Sequence, residues 1–213
     1  MSHFQLFFKR DMKQVFFNPR LLVLPLGFFA VSFFLLHFIA PLNSTTEHTT
    51  ALYWVIFILS TTGVLGQNIA QDYDGGFLQS LQSERTSLKS YIISKALSLM
   101  IGWTFSFWIF FMGLQGLASE INAPIALQSF VTIASLAGAL SFLYCLFDTL
   151  FLKAKRSPLL SLILLVPFIL PLLILSLLSL EQKEFMVLLP TLGYALFLAL
   201  GSFFLTQKSL STP

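Results

Sequence analysis

The chain has 213 residues, 56% of them hydrophobic and only 10% charged, with a formal net charge of +3. A soluble domain carries about 25% charged residues, so this composition excludes a water-facing globule and points to one integral membrane domain. The small positive charge is no nucleic-acid footprint, and the single cysteine, Cys145, excludes an internal disulfide and a cysteine metal cluster.

Residues 1–20 come first. In "HFQLFFKRDMKQVFFNPR", Phe4, Phe7, Phe8, Val15 and Phe16 alternate at helical spacing with Lys9, Arg10, Asp11, Lys13 and Gln14. That pattern predicts an amphipathic interfacial helix with its basic face toward anionic head groups. Asn18-Pro19 ends it, because a residue before proline disfavours the helical region. The polar stretch reaches Arg20 and a run of spanning length follows, so a cleaved signal peptide is not expected.

Six apolar runs follow, at roughly 21–40, 51–68, 91–114, 125–147, 158–179 and 186–205. Each approaches the roughly 20 residues needed to cross the hydrocarbon core, and none shows the short alternating pattern of a membrane β-strand. The expected fold is therefore an all-α membrane protein: six transmembrane helices over 21–205, then a tail at 206–213. Basic residues set its orientation. Eleven of the twelve lysines and arginines fall before the first run, between the second and third or at the inner boundary of the third (Lys95), between the fourth and fifth, or after the sixth; only Lys183 lies opposite. This places both termini in the cytoplasm.

The longest polar interval, "GQNIAQDYDGGFLQSLQSERTSLKSYIISK", lies on that cytoplasmic side between the second and third runs. "QDYDGG" has turn chemistry. Phe77, Leu78 and Leu81 then share one side of a short amphipathic helix, Ser87 is placed to cap the next helix, and Lys89 and Lys95 mark the inner boundary of the third span. An amphipathic helix whose apolar face finds no partner in its own chain needs one elsewhere, and the acids of "DYD" favour a protein groove over anionic lipid.

Catalytic chemistry is missing. The sequence has no phosphate-binding G-x-x-x-x-G-K-[ST], no H-E-x-x-H and no G-x-S-x-G. Its nine acids, Asp11, Asp72, Asp74 and Asp148 among them, read as lying in or beside loops, leaving no intramembrane group to couple an ion gradient. Energy for transport would come from outside the chain. His37, near the outer end of the first span, is a candidate haem ligand, with an interfacial histidine as the plainer reading. The 25 phenylalanines read mainly as lipid-facing bulk.

These features together resemble the membrane subunit of an ABC-2-type exporter, and more closely the CcmB family, haem exporter protein B of bacterial cytochrome c maturation. The resemblance rests on "FKRDMKQVFFNPRLLVLPLGFF", on "QDYDGGFLQSLQSERTSLKSYIISKAL", which is similar to the family's D-[FY]-x-D-G-x-L-[EQ]-x-L signature, on "LFLKAKRSPLLSLILLVPFILPLLIL", and on the length with six spans. It implies a permease without catalytic residues, whose coupling segment at about 69–90 sits in a groove of a separate CcmA-type ATPase subunit through Asp72, Tyr73, Asp74, Gly75, Gly76, Phe77, Leu78, Leu81 and Arg85. Pro167 and Pro171 would form a gating kink. The chain alone would bind no cofactor: haem is the implied substrate, and ATP enters through the partner. The implied setting is the bacterial inner membrane, with CcmC- and CcmD-type subunits, a CcmE-type haem chaperone, membrane lipid and two copies per complex. Alternatives are an ABC-2-type permease for a drug, lipid or polysaccharide, or a membrane scaffold with no ATPase partner.

Overall fold

The computed structural model describes residues 3–39, 55–62, 69–82, 85–118, 123–153, 165–175 and 188–211. Every regular element among them is an α-helix. In chain order they are α1 (His3–Phe17), α2 (Val23–Ile39), α3 (55–62), α4 (Ala70–Asp74), α5 (Phe77–Gln82), α6 (Arg85–Ala118), α7 (Ala123–Lys153), α8 (Leu165–Leu175) and α9 (Leu188–Ser211).

Three stretches are long and apolar enough to cross a membrane: Leu88–Gly113 of α6, Ser129–Leu150 of α7 and Leu189–Leu210 of α9. The other expected spans, at 21–40, 51–68 and 158–179, lie partly outside the described residues; their described parts are the apolar helices α2, α3 and α8. Residues 40–54, His48 among them, lie wholly outside the described residues.

Helix α1 stops where the proline requires. The Asn18 amide still donates to the Gln14 carbonyl (2.9 Å), and the Asn18 side-chain oxygen accepts from the Arg20 amide (3.1 Å), closing the turn into α2. The 34 residues of α6 amount to about 51 Å of helix, against roughly 30 Å of hydrocarbon. About four turns must therefore project from the apolar layer, and the end bearing Lys89 and Lys95 is the one that bears charge.

Helix α7 packs against both α6 and α9, and α1 packs against α6. The larger core joins Trp103 and Phe107 of α6, Tyr144 and Leu140 of α7, Phe57 of α3, and Leu21. The Trp103 indole N–H donates to the Leu21 carbonyl at 3.0 Å, and the Thr61 and Tyr144 hydroxyls share a hydrogen bond of 3.0 Å. A second core gathers Tyr91 and Ile92 near the start of α6, Cys145 near the end of α7, and Leu210 at the end of α9. These three helix ends meet on one side, as alternating spans would place them. Cys145 is fully buried there, in keeping with a small apolar side chain.

Three expectations need correction. Helix α1 does not lie on lipid alone: Asp11 and Val15 face α6 and are buried, while Lys9, Lys13, Phe16 and Phe17 stay exposed. The stretch expected as a tail continues α9 as helix to Ser211, with Thr206 and Leu210 buried. Helix α6 begins at Arg85, so Ser87 lies within its first turn rather than before it.

At Gly102, α1 and α6 approach closely. A Cβ there would sit 2.6 Å from Val15 Cγ1, and the stiff valine has no long side chain to swing aside. Gly102→Leu should force the helices apart and destabilise the chain by about 1–3 kcal/mol. Gly113→Leu, where a Cβ meets nothing within 4 Å, should leave the unfolding temperature in detergent nearly unchanged.

Candidate functional site

The described residue that ties the polar interval to the rest of the molecule is Asp72, in α4. Its Oδ2 accepts from the Tyr91 hydroxyl (2.7 Å), pairs with Lys95 Nζ (2.9 Å) and pairs with Arg10 Nη2 (3.2 Å). Asp11 is the second carboxylate. It pairs with Arg10 Nη2 (2.9 Å) and Lys95 Nζ (3.6 Å) and accepts from the Ser94 hydroxyl. Lys95 Nζ also donates to Gln14 Oε1 at 2.7 Å. Two acids and two bases thus close a neutral network across α1, α4 and α6.

Local sequence explains the assembly. Tyr91, Ser94 and Lys95 stand at i, i+3 and i+4 on α6, so they share one face. Arg10 and Gln14 stand one turn apart, at i and i+4, on α1, with Asp11 three residues before Gln14. Lys95 and Asp11 are each only 1% exposed in their side chains, and a charge buried that deeply persists only when paired. Burial disfavours the charge on Arg10, but the carboxylates of Asp11 and Asp72 outweigh it and hold the guanidinium above its ordinary value. The Arg10 guanidinium also lies 4.2 Å from the Phe77 ring centroid, over the first residue of α5.

The residues expected to contact a partner separate into two groups. Tyr73, Asp74, Gly75 and Gly76 form an exposed tip between α4 and α5. Gly76 alone among the described residues has a positive φ, +73°, a conformation that disfavours any side chain. Leu78 and Leu81 point the other way, into the second core. The expectation that this apolar face lacks a partner in its own chain is therefore corrected: Leu78 is 1% exposed, and Phe77 packs with Phe7 and Tyr91. Asp72 is turned inward by its ion pairs. The side chains of Arg85 and His37 lie outside the described residues.

Asp148 also departs from its reading as a loop acid. It is buried near the end of α7, and its carboxylate accepts from the Ile69 amide at 3.2 Å, fixing the chain where α4 starts. Pro167 and Pro171 both lie within α8. Pro171 has no amide hydrogen to give the Pro167 carbonyl one turn earlier. Across from it, Thr191 of α9 donates to the Leu175 carbonyl (3.2 Å) and Tyr194 to the Phe168 carbonyl (3.4 Å). Among the described residues no cluster of three His, Cys, Asp or Glu side chains is placed to hold a metal ion.

No family model matches the chain, and no curated protein or solved structure matches it either. The arrangement has the chemistry of a joint: it holds three helices in register and leaves one short turn projecting.

Lys95→Met leaves the buried Asp11 and the half-buried Asp72 to share Arg10 alone and should cost about 3–5 kcal/mol of stability. Lys89→Met, at an exposed position on the same helix, should cost little. Combining Lys95→Met with Asp11→Leu should recover part of the loss, since Arg10 and Asp72 still balance. Thermal unfolding of the purified chain, followed by tryptophan fluorescence, measures all three against the wild type.

Proposed function

We propose that this chain is the permease subunit of an ABC-type complex in a bacterial inner membrane, handling haem during cytochrome c maturation. The observation that carries the reading is the exposed Tyr73–Gly76 turn on a segment ion-paired to two other helices. A separate ATPase would grip the turn. Its closure would then move α4 together with α1 and α6, because Asp72 binds both Arg10 and Lys95. The sequence has no phosphate loop of its own, which fits an energy source in another subunit. The haem assignment rests on the resemblance of "QDYDGGFLQSLQ" and the flanking stretches to the CcmB family. Both termini would face the cytoplasm, by the distribution of basic residues. The implied neighbours are CcmA-, CcmC- and CcmD-type subunits and a CcmE-type chaperone, with two copies of this chain per complex.

In this reading α8 is the helix that flexes. Pro171 removes one backbone hydrogen bond, and the hydroxyls of Thr191 and Tyr194 hold α8 against α9 on either side of it. Pro171→Ala should raise the unfolding temperature and lower the yield of c-type cytochromes, scored by haem staining in a strain lacking its own permease subunit. Equal yields at equal expression would leave the prolines a static role.

The direct test is co-purification with the cognate ATPase subunit. Tyr73→Ala with Asp74→Lys changes only exposed side chains. The double variant should insert normally and lose the ATPase by tenfold or more. If wild type and variant retain it equally, the turn is not the contact; if neither retains it, the scaffold reading replaces the permease.

A further inference from the structure

An open recess of about 650 Å³ lies where α1 turns toward α2. Arg10, Lys13, Gln14 and Asn18 supply its polar wall, Phe17 and Pro19 its apolar lip, and Asp72 borders it. Its charge follows from the network beside it. Arg10 and Lys95 balance Asp11 and Asp72, so those four groups contribute no net charge. Lys13 makes no ion pair among the described residues and stands exposed, leaving one uncompensated positive charge on the recess. Lys9 and Arg20, both exposed on α1 and the turn after it, add to the local positive field.

The lip is the other half of the argument. Phe17 is 78% exposed, and Leu24, whose amide donates to the carbonyl of the lip residue Pro19 (2.8 Å), is 57% exposed. A small inorganic anion has no use for such a border. A cationic recess against large exposed apolar side chains matches an amphiphile with one negative charge in its head.

We propose that this recess binds the head group of an anionic phospholipid of the bilayer, with the phosphodiester against Lys13 and the acyl chains over Phe17 and Leu24. The site needs only that the chain span a membrane, and it stands whether or not an ATPase docks on the neighbouring turn. A lipid held there would pack the exposed side of α1, whose other side is locked to α6, and would steady the joint from outside.

The test uses the full chain in a neutral detergent, titrated with phosphatidylglycerol, with phosphatidylcholine of the same acyl chains, and with inorganic phosphate. Native mass spectrometry counts retained lipid, and tryptophan fluorescence follows unfolding. Phosphatidylglycerol should be retained and raise the unfolding temperature, and the other two should not. Lys13→Gln should weaken phosphatidylglycerol retention about fivefold, the effect of one basic residue worth about 1 kcal/mol at an anionic surface. Lys13→Arg should keep it, and Lys89→Gln, exposed on α6 outside the recess, should leave it unchanged. Phosphate acting as well as the lipid would make this a free-anion site and overturn the proposal. So would equal retention of phosphatidylcholine, a Lys13→Gln chain that binds like wild type, or an equal loss in Lys89→Gln, which would reduce the effect to general surface charge.

Discussion

Lys95 is a cation removed from water within a helix otherwise apolar enough to cross a membrane, and the lower half of the structure is arranged to neutralise it. Asp11 reaches it from α1 and Asp72 from α4; Tyr91 and Ser94, on its own helix, hold the two carboxylates. Because each carboxylate is shared between Arg10 and Lys95, no one of the three helices can shift without exposing a buried charge. The apolar contacts of Leu78, Leu81 and Phe77 then add packing to a position that the ion pairs already specify.

This joint has a consequence for the length of α6. A helix of about 51 Å projects beyond an apolar layer of roughly 30 Å, and a bare projection would expose Tyr91, Ile92 and Leu88 to water. Helices α1, α4 and α5 cover that projection. The described part of the polar interval therefore belongs to a folded collar around the end of α6, with the Tyr73–Gly76 turn, Gln79 and Lys89 left outward.

Much of this was legible in the sequence, for physical reasons. Long apolar runs announce helices because backbone polar groups in hydrocarbon must be satisfied within the segment. The end of α1 was marked by Asn18-Pro19, and the turn between α4 and α5 by Gly75-Gly76. The ion network was missed because its members are distant in the chain: Asp11 and Lys95 lie 84 positions apart by number, and Asp72 sits between them. Its signal was present in the helical spacing of Tyr91, Ser94 and Lys95, polar side chains on one face entering an apolar run. The burial of Leu78 and Leu81 could not be read either. An amphipathic face announces that it needs a partner, and nothing local says whether that partner belongs to the same chain.

The central claim is that α4, α5 and α1 form one unit with the end of α6. Hydrogen exchange by mass spectrometry on the full chain in lipid nanodiscs tests it most directly. The account predicts slow exchange across 69–82 and 3–17, lost together in Lys95→Met while the deeper part of α6 stays protected. Exchange of 69–82 at the rate of a free loop in the wild-type chain, or its loss of protection independently of 3–17, would contradict the account.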